Sequence, residues 1–201
     1  QGFKGKIYCT SATRDLAKIL LLDSAKIQAG DLKYKNKKLA KRGKPLEEAL
    51  YEEADALMAM SFFEVVDYHK AVEITKGVTV EFIDAGHIIG SASVHLTIEE
   101  GGKTTKISFS GDVGQYGDLL LRSPQEFPQA DYILLESTYG DRLHKDAQPT
   151  EQVFLNVILK TCVEKKGKLI IPAFSVGRTQ ELLYILNNLD LEGKLPNVKV
   201  Y

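Results

Sequence analysis

Three short polar strings each follow an apolar, strand-like run: DAGHIIGS at residues 84–91, SGDVG at 110–114 and ESTYGD at 136–141. Each sets one ionisable side chain among glycines or hydroxyls: His87, Asp112 and Glu136. Loops at strand ends hold side chains in fixed directions, and adjacent glycines let the backbone turn sharply and approach a ligand closely. An imidazole and a carboxylate are donors that zinc accepts, and a metal held between them acidifies water. Spacing alone does not decide this chemistry. For one His and one Asp, 25 positions apart, a hydrogen-bonded histidine and a turn-forming aspartate are the default reading. A fourth string, FSVGRTQ at 174–180, runs from a strand end into a helix. The helix start favours an anion, and Arg178 adds a bidentate donor suited to phosphate. It is no Walker loop, because the Gly-Lys-Ser/Thr ending is missing. An arginine that fixes domain packing is the alternative.

The elements that must position these residues are legible as periodicities. Residues 5–10 read as a strand. A helix follows over 13–28, its apolar face carried by Leu16, Ile19, Leu20 and Ile27. A basic stretch (Lys33, Lys35, Lys37, Lys38, Lys41, Arg42, Lys44) is answered by an acidic helical one (Glu47, Glu48, Glu52, Glu53, Asp55). Together they read as a solvated helical arm, with a phosphate-contacting patch as the alternative. Strands are expected over 78–84, 92–98 and 104–110, the last two forming a hairpin around residues 99–103. Alternation puts Val94, Leu96 and Ile98 on one face and His95 on the other, outward one. Residues 132–135 are a continuous apolar run, the pattern of a strand buried on both faces. After Pro149 the order is a helix capped by Thr150, a strand over 168–173, a helix over 179–188 and a strand over 198–201. That alternation predicts a parallel, helix-covered sheet. A domain boundary falls at 146/147.

Hydrophobic residues make up 44% and charged ones 26% of 201 residues, which excludes a disordered tail, a collagen-like repeat and a small disulfide scaffold. With 26 basic and 27 acidic residues the net charge is −1, so attraction to polyanions has to come from a local patch. Cys9 and Cys162 lie far apart in apolar surroundings and read as buried free thiols of a reducing, cytoplasmic protein. No stretch reaches the roughly 18 apolar residues of a membrane span. The chain opens at Gln1 straight into a strand and stops in one, which reads as an internal piece of a longer protein.

The strings GHIIGSA, FSGD, ILLESTYGDR and LIIPAFSVGRTQELL, in that order, resemble the β-CASP branch of the metallo-β-lactamase-fold hydrolases. The opening GFKGKIYCTSATRDLAKILLLDSAKIQ resembles the stretch that follows that family's HxHxDH metal motif. The resemblance implies an α/β fold, with residues 1–146 part of the metallo-β-lactamase αββα sandwich and 147–201 the start of the inserted, parallel β-CASP domain. It implies His87 as a ligand to one zinc and Asp112 as the carboxylate bridging two. Glu136 would be the acid that pairs with a later histidine protonating the leaving oxygen, so Asp112 and Glu136 are the catalytic candidates. Ser175 and Arg178 would contact substrate. The function implied is zinc-dependent hydrolysis of RNA phosphodiester bonds by a metal-activated hydroxide, with DNA as an alternative substrate and oligomerisation left open. HxHxDH and the two later histidine motifs are absent, so this chain by itself is expected to be inactive. Neither His69 nor His144 matches the missing motifs. His69 reads as a surface histidine, and His144 as a minor candidate for the cleft. Two other readings stay open: a non-catalytic scaffold paralogue, and a metallo-β-lactamase-fold hydrolase of small thioesters or lactams.

Overall fold

A computed structural model of the chain describes residues 2–141 and 150–201. They pack as two compact units. The first runs to Tyr116 and resumes at Arg122–Leu135; the second joins Gly117–Leu121 to the described residues from Glu136 to Tyr201. The 146/147 boundary and His144 lie outside the described residues.

The first unit opens with β1 (Ile7–Cys9), which pairs in parallel with β2 (Phe63–Val65). Between them stand α1 (Ser11–Lys41) and the short α2 (Glu53–Ala59). The Thr10 side chain caps α1 by accepting the Thr13 amide at 3.2 Å, as a threonine at that position is suited to do. The helix runs well past residue 28, and Ile19, Leu20 and Ile27 are exposed; Ala25 is its buried residue. Leu20, Leu21 and Leu22 point about 100° apart in turn, so the apolar side chains ring the helix instead of forming one stripe. The basic stretch is solvated, as expected. Of the acidic stretch only Glu53 and Asp55 lie in a helix.

A five-stranded sheet, β3 (Val72–Thr75), β4 (Val78–Asp84), β5 (Ala92–Glu100), β6 (Lys103–Phe109) and β7 (Tyr132–Leu134), is ordered as it is numbered. Pairing is antiparallel as far as β6 and parallel between β6 and β7. The predicted hairpin is tighter than its five-residue loop: Glu100 pairs with Lys103 across Gly101 and Gly102, both at positive φ, the requirement of a type I′ turn. Because β4, β6 and β7 run the same way, their C-terminal ends share one sheet edge. One face of the sheet holds the core of Val66, Val80 and Phe82, closed by Val72, Ile74, Val94 and Leu96. Each large side chain buried there contributes about 1.5–3 kcal/mol.

Two expectations about faces are corrected. His95 is buried, because the face opposite the core is covered too: Phe127 stacks at 5.8 Å, and Ser93 and Ser108 are almost wholly enclosed. β7 is an exposed edge strand rather than one buried on both faces, since among the described residues β6 is its one hydrogen-bonded neighbour.

In the second unit α3 (Thr150–Ile158) widens into a π-helical turn over Leu159–Glu164, and α4 (Arg178–Leu191) packs on it. Leu155, Ile185 and Leu189 form the buried core, with Phe154, Leu159 and Leu195 against it. Thr150 is the first residue of α3, and the residues before it lie outside the described ones. The segments 168–173 and 198–201 line one groove together but form no strand ladder. Their apolar side chains suit a sheet, yet among the described residues neither segment joins a ladder, and the Val198 amide bonds locally to the Pro196 carbonyl at 2.7 Å. The mixed α/β class holds. Cys9 is buried and Cys162 half-buried, both free thiols, and burial pushes the Cys9 thiol up. No described helix is long and apolar enough to cross a membrane.

Within the sheet, the Ser93 hydroxyl donates to the Ile83 carbonyl at 3.3 Å, so it accepts from His95 Nε2 at 3.1 Å. With the ring neutral, Nδ1 accepts from Ser108 at 2.7 Å. Burial lowers the pKa of His95 from the ordinary 6.5, and the Glu81 charge opposes that only in part. The unfolded chain therefore takes up the proton first. Stability present above pH 6.5 is expected to be lost progressively as pH falls below it. Urea midpoints between pH 7.5 and 5 should decline in the parent and decline less in His95→Gln; parallel profiles would contradict the assignment.

Candidate functional site

The loop after β4 closes on itself before anything else touches it. Asp84 Oδ1 accepts the Gly86 amide at 2.9 Å, and Ser91 Oγ accepts the amides of His87 and Ile88 at 3.0 and 3.3 Å. Asp and Ser are the residue types that make such local turns. The rest of the unit then fixes the loop from outside. The hydroxyls of Thr10 and Thr13 both donate to the Gly90 carbonyl at 2.8 Å, tying it to the start of α1. The Tyr68 hydroxyl donates to the Ser91 carbonyl at 2.9 Å. Burial, with the nearby Asp84 carboxylate, raises the Tyr68 pKa and keeps that donor protonated. The Gln125 amide donates to the Asp84 carbonyl at 3.0 Å, and its side-chain oxygen meets His69 Nε2, also at 3.0 Å.

The loop after β6 is threaded against the first. The Ser110 amide bonds the Leu134 carbonyl of β7 at 2.9 Å, and the Gly114 amide bonds the Ala85 carbonyl at 2.8 Å. The approach is so close that a Cβ on Gly114 would lie 1.7 Å from the Gly86 carbonyl oxygen. Any other residue would force the loops apart. This interlock brings His87 Nε2 to 3.7 Å from Asp112 Oδ2, with both side chains open to solvent. Two donors bound at about 2.05 Å on a tetrahedral zinc stand about 3.4 Å apart, so the pair fits one shared cation after a small rotation. No third His, Cys, Asp or Glu completes a set of three among the described residues.

The remaining expected site residues belong to the second unit. Glu136 is half-buried and accepts from the Thr138 hydroxyl at 2.8 Å. Gln180 spans the start of α4, accepting the Gly177 amide at 2.7 Å and donating to the Ser175 carbonyl at 3.0 Å. Arg178 is paired with Glu181 at 2.8 Å. One amide of the expected phosphate cradle is thus occupied by a side chain, and its arginine already faces a carboxylate.

No protein-family model matches the chain. It is 34% identical over 198 residues to the RNase J-like protein of Methanocaldococcus jannaschii, covering 98% of the chain and 41% of that relative. It is 32% identical over 203 residues to the transcription termination factor FttA of Methanosarcina mazei, all of the chain and 29% of the relative. With the endoribonuclease YSH1 of Yarrowia lipolytica it shares 33% over 186 residues, 92% of the chain and 20% of the relative. The chain belongs to the β-CASP branch of the metallo-β-lactamase fold. It spans between about one fifth and about two fifths of the length of these relatives.

Within this β-CASP chain, the residues that sequence reasoning missed are those that hold the loops rather than face solvent. Thr10 is readable as a helix cap, but nothing local says that its hydroxyl also reaches residue 90. His69 reads as a surface histidine and is exposed, yet its left-handed backbone (φ 61°) aims it at Gln125. Gly114→Ala is expected to cost about 1–3 kcal/mol, the usual penalty of overpacking, and Tyr68→Phe about 1 kcal/mol for the lost hydrogen bond. Urea unfolding of each variant checks both values. A Gly114→Ala chain as stable as the parent would refute the interlock.

Proposed function

We propose that the chain is part of a zinc-dependent ribonuclease, in which residues up to 146 belong to the metallo-β-lactamase domain and those from 147 open the inserted β-CASP domain. The juxtaposition of His87 and Asp112 at 3.7 Å, built from two loops that share one sheet edge, carries this reading. The identity to ribonucleases along nearly the whole chain, and the greater length of those relatives, support it. The rest of the donor set would come from outside these 201 residues, which alone would not cleave RNA. The two free thiols suit a reducing compartment, for which we propose the cytoplasm.

In this reading His87, through its Nε2, and Asp112, through its carboxylate, would hold the metal. Zinc, when bound, supplies Lewis acidity that lowers the pKa of water toward neutrality and offsets charge gathering on a phosphate. Glu136, steadied by Thr138, orients the proton-delivering imidazole of the complete protein, since an acid on one ring nitrogen fixes the tautomer of the other. Ser175 and Arg178 meet the strand's phosphates, Arg178 by exchanging Glu181 for the stronger anion.

In the intact protein, Asp112→Asn and His87→Ala are each expected to lower zinc-supported RNA cleavage at least about 100-fold, and Glu136→Gln about 10–100-fold. Melting temperatures should stay near the parent's. Initial rates on a labelled single-stranded RNA give the measurement. Cleavage unaffected by Asp112→Asn would overturn the proposal, and an intact protein that binds RNA without cutting it would establish a scaffold instead.

A further inference from the structure

The helical arm carries charge in a pattern that the hydrolytic site does not use. Seven cations lie between Lys33 and Lys44, and the acidic stretch folds back along α1 beside them. Its path is fixed. The Asn36 side chain binds the Glu47 backbone at both its carbonyl and its amide, at 2.8 and 2.9 Å. Glu47 pairs with Lys35, Glu53 reaches Lys26 at 4.0 Å, and the Tyr51 hydroxyl donates to the Leu21 carbonyl. Ala25, Ala29, Leu32 and Asn36 line the crevice against this returning segment.

At about 100° per residue, that lining face lies opposite an arc of about the same width holding Tyr34, Lys37, Lys38 and Lys41. The acids of the returning segment have therefore gone to one side of the arm, and from Tyr34 to Lys41 the other side carries lysines alone. Among the described residues, none of these three lysines pairs with a carboxylate. Tyr34 is 63% exposed, and Lys38 Nζ stands 4.3 Å over its ring. A solvated face that only kept the arm soluble would mix both signs and would not hold an aromatic ring open to water. A row of lysines around an open aromatic face is instead the composition that receives single-stranded nucleic acid, phosphates on the cations and a base on the ring.

We propose that Tyr34, Lys37, Lys38 and Lys41 form a docking surface for single-stranded RNA, apart from the metal-ligand loops. The choice of RNA as the polyanion rests on the ribonuclease reading; the surface itself rests on the arm. Lys37 and Lys41, one turn apart, contact backbone phosphates, and Lys38 moves off the Tyr34 ring as a base stacks there.

The test is fluorescence anisotropy of a labelled 20-nucleotide oligouridylate with the 201-residue chain across a potassium chloride series. Lys37→Gln/Lys38→Gln/Lys41→Gln is compared with Lys70→Gln/Lys76→Gln/Lys103→Gln, which changes the net charge equally, from −1 to −4. All these sites are exposed, and circular dichroism checks that each variant is folded. The arm variant is expected to bind at least tenfold more weakly. Its log–log salt slope should be shallower by about 1.4, at about 0.7 for each of the two phosphates that Lys37 and Lys41 no longer neutralise. The control should stay within twofold of the parent. Tyr34→Leu, which keeps bulk but removes the stacking face, should weaken binding about tenfold. Equal losses in the two triple variants would overturn the proposal. So would an unaffected Tyr34→Leu together with displacement of the RNA by poly-L-glutamate at equal charge, which would make the stripe a protein-docking face. Failure of the ribonuclease reading is seen separately, in cleavage by the intact protein, which this binding measurement does not read.

Discussion

The Gly114 amide meets the Ala85 carbonyl at 2.8 Å, and the same approach leaves no room for a side chain at 114. From that contact the candidate site follows. β4 and β6 are not neighbours in the sheet, so the loops that leave them would diverge without a tie. The glycine makes the tie by backbone alone, and His87 and Asp112 face each other as a result. The surrounding hydrogen bonds, from Thr10, Thr13, Tyr68 and Gln125, hold the first loop still so that the second can be threaded against it. A metal site needs its donors placed before the ion arrives, because an ordered donor costs less free energy to use than a mobile one.

How much of this is legible in the sequence depends on whether the cause is local. The β5–β6 hairpin is readable because alternation and a Gly-Gly pair are written in consecutive residues. Helices α3 and α4 are readable from their three-to-four spacing. Alternation misplaces His95, because it tells which residues share a face but not which face is covered. The runs at 132–135 and 168–173 mislead for a related reason: apolar letters state what a segment could bury, whereas burial is decided by partners distant in the chain. The α1 helix outruns its apolar pattern since lysines are good helix formers and need no core to continue it.

The site shows the same division. The GHIIGSA and FSGD strings point to His87 and Asp112 by resemblance, while their spacing leaves a structural histidine and a turn aspartate open. The interlock that joins them depends on an approach of two backbones, for which a glycine in a loop is a necessary sign but not a sufficient one. Net charge behaves likewise. A value of −1 conceals an arm whose returning acids lie against one side of α1 while the stretch from Tyr34 to Lys41 carries lysines on the other, a separation visible only once Asn36 is seen to anchor Glu47.

The central claim, that interlocked loops present His87 and Asp112 as one half of a metal site, is tested most directly by titrating the 201-residue chain with zinc while following amide and histidine ring resonances. The account predicts weak, saturable, one-to-one binding. Shifts should centre on the His87 ring and on residues 84–91 and 110–114, and should disappear in Asp112→Asn. Zinc that perturbs His69 or His95 and leaves His87 untouched, or tight uptake of two ions, would contradict it.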